Sequence, residues 1–592
     1  MAAGMFAATS CSDFSDYNEV VPDATPSANL TLWENIQQNS NLSDFATLVK
    51  KSGFDEELST SHYYTVWAPV NGSFDPTAYE QLGIDALLKQ FVQNHIADYG
   101  HSASGSLSER VLMLNEKKHD FTGVGTYKFD DINVTASNLP SSNGLMHLLN
   151  GAAAYYPHLY DYITDFQLSA RADIDSLRDY FLHYEHVWLD EQASVVGPIV
   201  DGLQTYIDSV MVIDNDLNAM LRAEFDNEDS TYTVLLPNNE AWNKAYSAIK
   251  AYYNYIPTTQ AQNFVTTNGT TAVDDKNPAK AQIDNAYMQD SIVKRYLTRN
   301  LVYSNNDAYN LWLQGQPTAY GSDTLRSTTR TKLSNPQAIL KQTLREVPMS
   351  NGVARIVDSL AMYPWETYAP EHEYSAVNER ARIGTGYAHT YRVDMSTNPD
   401  VDNFSYLWAE PNGPYAKAEL NVYLPDVLST TYDIYCVFIP AWDQTDDYQR
   451  LPNRVNFELS YCDATGALKT QTFLDESEEN VKWCTDYIEY VRENNPAATQ
   501  AYVDNASTRT TFRGFSNDPN VIDSVYVGRF TFPVCYYGLG TGDEHICPNI
   551  KISSPFSVFN KTAMAAFTRD LRISAIVLKP VELVEFEESN KQ

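Results

Sequence analysis

The sequence predicts an α+β multidomain chain, two related modules of strands and helices followed by an all-β sandwich. Three observations carry this. A β-rich run ending in proline and asparagine occurs twice, at Thr65-Val66-Trp67-Ala68-Pro69-Val70-Asn71 and Thr233-Val234-Leu235-Leu236-Pro237-Asn238-Asn239. The tripeptide Ser-Asn-Gly opens an apolar run twice, at Ser142 and at Ser350. From about residue 370 the pattern becomes period two: Ala416, Ala418, Leu420, Val422 and Leu424 alternate with Lys417, Glu419, Asn421 and Tyr423, a strand with one buried face. At 592 residues the chain has room for three or four domains of about 150 residues. The predicted divisions are 1–29, 30–165, 166–369 and 370–592.

In the first module a helix is predicted from Asn41. Leu42, Phe45, Leu48 and Val49 share one face, Asp44 sits in the first turn, Lys50 and Lys51 sit in the last, and Gly53 caps the end. A strand follows over Tyr63 to Ala68, broken by Pro69 and the Asn71-Gly72 turn signal. Asp75-Pro76 starts the next helix with a capping carboxylate and a proline at the first helical position. Asn143-Gly144 predicts a tight turn with positive φ.

The run from Thr65 to Phe74 resembles the first signature of the fasciclin domain, usually written TVFAPTNxAF. Leu87 to Ile96 resembles the helix that ends in that family's central histidine, here His95. Ile132 to Val134 and then Ser142 to Leu149 resemble the second signature, with Asn143, Gly144 and His147. The resemblance implies a small β-wedge with helices packed alongside. It also implies that these segments are architectural, with adhesion sites on or beside them. Neither histidine has the spacing of an HExxH zinc site, so each imidazole is expected to hydrogen-bond backbone and lock a loop.

The second module repeats the order. Thr231 to Trp242 resembles the first signature, with Pro237. Ile292 to Val302 fills the central-helix place, with Asn300 where the family has histidine. Ser350 to Leu360 resembles the second signature through Asn351 and Gly352, with Arg355 replacing histidine. Loss of both histidines favours a scaffold over catalysis. Added chain between Trp242 and Ser291 carries Tyr252, Tyr253 and Tyr255. In Ile199 to Val210, Asp201-Gly202 supports a hairpin, with a helix over Leu203 to Val210 as the alternative.

The last module shows strand patterns at Tyr432 to Ile439, Val455 to Tyr461, Val521 to Phe532, Ile550 to Phe556 and Leu571 to Leu578, plus a helix near Val481 to Arg492. They suggest a jelly-roll-like β-sandwich. The ending Leu571 to Pro580 resembles the closing strand of carbohydrate-binding sandwiches. Trp408, Tyr415, Trp442, Tyr448, Tyr536 and Tyr537 fall in or near predicted loops, where flat rings would stack on sugars. Packing is the competing account of these rings. Asp443, Asp446 and Asp447 beside Trp442 offer oxygen ligands for calcium, without EF-hand spacing. Five cysteines lie in this third (Cys436, Cys462, Cys484, Cys535 and Cys547), and none forms a CxxC pair. Their pairing stays open.

Charge narrows the partners. Lys plus Arg total 41 against 76 Asp plus Glu, for a net charge of −35. No basic face is available for nucleic acid, or for electrostatic docking on anionic lipid. No run of about 18 apolar residues suggests a spanning helix. Met1 to Ser10 reads MAAGMFAATS before Cys11, then come Asp13, Asp16 and Glu19. This resembles the signal tail, lipidated cysteine and acidic export stretch of Bacteroidetes-type surface lipoproteins. It implies an acyl anchor at Cys11 and a tether to residue 29. No GxSxG elbow, phosphate loop, HExxH or dinucleotide motif occurs, and no cofactor or metal is expected. The resemblances together imply a non-catalytic binding or scaffold lipoprotein of the bacterial outer membrane. It would be accessory to a TonB-dependent transporter and its lid lipoprotein, with a glycan or glycopeptide as ligand. Two alternatives remain: an adhesin for host matrix or other cells, and a glycoside hydrolase on the sandwich.

Overall fold

The computed structural model describes residues 26–255, 266–267, 270–271, 285–307, 310, 324–378, 382–384, 388–394, 405–440, 451–465, 467–475, 514–538, 548–555 and 561–591. It is a mixed α+β molecule in which two modules of helices and sheet precede two larger antiparallel sheets.

The first module is a curled seven-stranded sheet. Its spatial order is Ile96–Asp98, Tyr64–Pro69, Gly144–Leu149, Ile132–Ser141, Thr126–Phe129, Lys118–Val124 and Ser106–Leu112. Tyr64–Pro69 and Gly144–Leu149 run parallel, and every other pairing is antiparallel. The helix Ser43–Ser52 forms as its pattern dictates. Phe45, Leu48 and Val49 are buried, and Gly53 ends it at φ 78°. Asp75 caps the helix Pro76–Glu80 by accepting from the Thr77 amide. The central segment is less regular than a single helix. An α turn at Ile84–Leu87 widens to a π turn at Leu88–Val92 and tightens to a 3₁₀ turn at Gln93–His95.

The second module keeps the middle of that sheet, in the order Val302–Ser304, Tyr232–Pro237, Gly352–Val357 and Thr343–Met349. The parallel register matches too: Tyr232 lies opposite Gly352 as Tyr64 lies opposite Gly144. Between the helix Asp175–His183 and the short helix Asp216–Leu221 stands an arm absent from the first module. Glu185–Leu189 pairs with Met211–Asn215, and beyond them Val195–Val200 pairs with Leu203–Asp208. Asp201 and Gly202 both have positive φ, so the hairpin reading holds and the helical alternative falls.

The sandwich follows as two antiparallel sheets. One runs Ala388–Asp394, Ser405–Pro411, Leu571–Pro580, Thr431–Phe438 and Asp523–Thr531, with His372–Ser375 also on Leu571–Pro580. The other runs Arg382–Gly384, Glu419–Tyr423, Asn549–Ser553, Asn456–Cys462 and Leu468–Phe473. Leu571–Pro580 is central and almost wholly buried. The chain continues from it into the helix Val581–Ser589, which packs on that strand and on Thr431–Phe438. The helix expected near Val481 lies outside the described residues. The tyrosines of the added chain join the second module to the sandwich. The Tyr255 hydroxyl donates to the Tyr537 carbonyl at 2.8 Å, the Cys535 amide donates to the Asn254 carbonyl at 2.8 Å, and the Tyr252 hydroxyl meets Glu582 at 2.8 Å. One continuous apolar core runs through both.

Candidate functional site

The signature residues form joints between secondary elements. Asn71 caps the helix Ser43–Ser52 from outside: its side-chain oxygen accepts from the Asp44 amide at 3.1 Å, and its nitrogen donates to the Ser40 carbonyl at 2.9 Å. Asn239 does the same in the second module, accepting from the Ser176 amide at 2.9 Å. Asn239 stands at the same distance from Pro237 as Asn71 from Pro69, at the end of the repeated run. Pro69 and Pro237 close their buried strands. Buried Asn143 accepts from the Leu32 amide at 2.7 Å and donates to the carbonyls of Leu58 and Thr60. Asn351 repeats this, accepting from the Leu159 amide at 2.9 Å and donating to the carbonyls of Phe225 and Asn227.

The expected positive-φ turn at Asn143-Gly144 is not formed, since neither residue has the left-handed conformation. Glycine is required there by approach. A Cβ on Gly144 would stand 2.1 Å from the Tyr64 carbonyl oxygen, and one on Gly352 would stand 1.9 Å from that of Tyr232. The parallel strand passes too close for any side chain.

Both histidines are hydrogen-bonded to backbone. His95 Nδ1 donates to the Phe91 carbonyl at 2.7 Å, and its Nε2 accepts from the Ala153 amide at 2.9 Å. His147 Nε2 donates to the His101 carbonyl at 2.8 Å, and its ring stacks on Trp67 at 5.5 Å. Burial drives both pKa values down to about 4, against smaller upward pulls from those carbonyls. Neutral imidazoles with their nitrogens engaged have no proton to trade with a substrate. Arg355, in the place of His147, pairs with Glu346 at 3.0 Å, and Asn300 accepts from Ser327 at 3.1 Å.

Among the described residues, Trp408, Tyr536 and Tyr537 do not form an open platform, while Tyr415 is 78% exposed. Tyr536 is 6% exposed and its hydroxyl accepts from the Cys462 amide at 2.9 Å, so it is a core residue. Tyr537 hydrogen-bonds Tyr296 at 2.9 Å and lies in the joint with the second module. The Arg572 guanidinium sits 4.3 Å from the centre of the Trp408 ring and covers it. Trp442, Tyr448, Cys11 and the aspartates at 443, 446 and 447 lie outside the described residues. Cys436, Cys462 and Cys535 are buried free thiols, and burial pushes Cys535 up to about 12. Cys484 and Cys547 lie outside the described residues. Among the described residues no group of three or more His, Cys, Asp or Glu is placed to hold a metal, and no helix is long and apolar enough to cross a membrane.

The arm of the second module is the surface that sequence reasoning undervalued. Ile199, Leu203 and Ile207 are 70%, 73% and 75% exposed, and Val187, Trp188, Val196 and Ile213 are exposed with them. Its root is firm. Asn215 donates to the Phe181 carbonyl at 2.9 Å, and Tyr160 bonds Glu185 at 2.6 Å.

No curated protein matches the chain. Among solved structures, a FAS1 domain pair from the insect cell adhesion molecule fasciclin I shares 11% identity, covering 55% of this chain and 99% of its own, with a TM-score of 0.19. The xylanase 10B CBM22-1–GH10 modules of Clostridium thermocellum share 8% identity, covering 35% of this chain and 28% of their own, with a TM-score of 0.19. The family model described as the fasciclin domain matches residues 40–152. That segment, which holds both signatures, both saturated histidines and the parallel strand pair, is similar to the fasciclin domain.

Proposed function

We propose that this chain is a non-catalytic binding protein of the cell surface, anchored through Cys11 at the outer membrane, that docks onto a protein partner through the arm of its second module. In this reading the second module is a second fasciclin domain. The partner is a TonB-dependent transporter or its lid lipoprotein, and glycan or glycopeptide is the cargo. The fasciclin domain is a module of adhesion and binding.

The observation that carries the reading is the arm. It is apolar on both faces, and isoleucines, leucines and valines stand in water along it. A two-stranded ribbon of that kind is marginal alone and suits burial inside another surface. No Lys or Arg occurs from Glu185 to Leu221, while Asp190, Glu191, Asp201, Asp208 and Asp214 do. Anionic lipid would repel it, and so would a second copy of this acidic chain. An apolar groove with a basic rim complements it.

The test is recovery of the tagged full chain from solubilised outer membranes, beside a variant carrying Ile199→Ser, Leu203→Ser and Ile207→Ser. The proposal expects transporter and lid chains in stoichiometric amounts with the parent and not with the variant. A chain recovered alone in both cases overturns it. If adhesion to cells or matrix were then lost in the variant, the adhesin reading would take its place.

A further inference from the structure

A cleft on the helical side of the second module has the construction of a ligand site, with Trp242, the last residue of the first signature, in its wall. It is bounded by the helices Asp175–His183, Asn239–Lys250 and Asn285–Thr298 and encloses about 390 Å³. That volume lies within the usual range of small-molecule pockets. Two helices offer the same spacing to it. Ser176, Asp179, Tyr180 and His183 line one wall, and Tyr287, Asp290, Ser291 and Lys294 line the other. Both sets follow i, i+3, i+4, i+7, so each wall is a single face of its helix.

The helix Asp175–His183 buries Leu177 and Phe181 in the core, and Ser176, Asp179, Tyr180 and His183 line the cleft. Rings stand at the base and mouth of the cleft, and polar groups stand between. Trp242 is 4% exposed and lies 6.0 Å from the ring of Tyr180. Tyr287 is 65% exposed at the mouth. Asp290 is fixed by the Tyr246 hydroxyl at 2.8 Å and by Lys294 at 2.9 Å. Burial pulls its pKa upward, but those two partners outweigh it and hold the carboxyl below its ordinary value.

We infer that this cleft binds one or two rings of a neutral sugar. This rests on the non-catalytic binding reading above and gives it a ligand class and a place. Aromatic faces take the C–H side of a pyranose, while carboxylate and hydroxyl groups take its equatorial hydroxyls. Asp179 and Asp290 outnumber Lys294, so phosphates and uronic acids are repelled. A purely apolar ligand would strip water from the same carboxylates without replacing their hydrogen bonds.

The test is calorimetric titration of the full chain with neutral hexasaccharides of glucose, mannose, xylose and galactose, beside galacturonate and glucosamine hexamers. At least one neutral hexamer is expected to bind. Tyr287→Ala and Asp179→Asn are each expected to weaken it by about tenfold or more, which is about 1.4 kcal/mol. Tyr99→Ala, an exposed ring on the first module, is the control and should change nothing. Tyr287 and Asp179 are both exposed, so these variants keep the fold. The inference is overturned if no neutral hexamer binds, if a charged hexamer binds better, or if binding is indifferent to both cleft variants. Arm-dependent partner recovery, measured on the same preparations, separates the two readings. Its survival without sugar binding removes the cleft and leaves the binding role.

Discussion

His95 and His147 set the acid limit of the first module. Each is held neutral when folded, with a pKa near 4, and takes a proton near 6.5 when unfolded. The unfolded chain therefore binds more protons between those values. Stability is fully present above pH 6.5, falls as pH drops towards 4, and levels off below that. Each histidine contributes a slope worth on the order of 3 kcal/mol over that window. Thermal melts of His147→Gln between pH 7 and pH 4 should show a shallower pH dependence than the parent, on top of a lower starting stability. Gly144→Ala is expected to cost more than about 2 kcal/mol in denaturant titration, because its Cβ would meet a backbone oxygen that cannot move aside. The sequence identified Asn143, Asn351 and the histidines as architectural, since their residue types in fixed order are a family pattern. It misread why Gly144 is glycine. Backbone approach between strands 80 residues apart in sequence is a tertiary fact, and a local turn rule has no access to it.

At the scale of the element, the arm separates folding from recognition. Its apolar side chains are in water, so the triple serine variant should melt within about 2 °C of the parent while losing binding of hydrophobic dyes. Gly202→Val, by contrast, places a branched residue at φ 79° and should loosen the hairpin, seen as faster amide exchange from Val195 to Asp208. The Asp201-Gly202 dipeptide made this hairpin readable. Its exposure was not readable, because an apolar strand looks the same in sequence whether covered or bare. The strands Ala388–Asp394, Ser405–Pro411 and Leu468–Phe473 escaped for a related reason. Leu468-Lys469-Thr470-Gln471-Thr472 carries little apolar alternation, and its place is set by pairing with Asn456–Cys462. The cleft escaped too, since polar residues at helical spacing read as a solvated face until a second helix is seen opposite.

The whole molecule divides differently from its sequence. Three modules are written, but the second and the sandwich share one core through Tyr253, Tyr296 and Tyr537, while the first keeps clusters of its own. Scanning calorimetry should therefore resolve two transitions rather than three. The first module meets the second through charge. Lys117, buried, reaches Glu228 at 2.7 Å, and Ser350 donates to the same carboxylate at 2.6 Å. Lys117→Met strands that carboxylate and should cost about 3–5 kcal/mol, whereas Lys117→Met with Glu228→Leu should recover most of it. The parallel strand pair bears on mechanics. Tyr64–Pro69 lies beside Gly144–Leu149, and Tyr232–Pro237 beside Gly352–Val357, in the same direction. Tension entering each module before the first strand and leaving after the second slides the two past each other, loading every hydrogen bond of the pair together rather than one after another. Such a clamp yields in shear, at higher force than a hairpin that unzips, and single-molecule pulling should find that resistance in both modules.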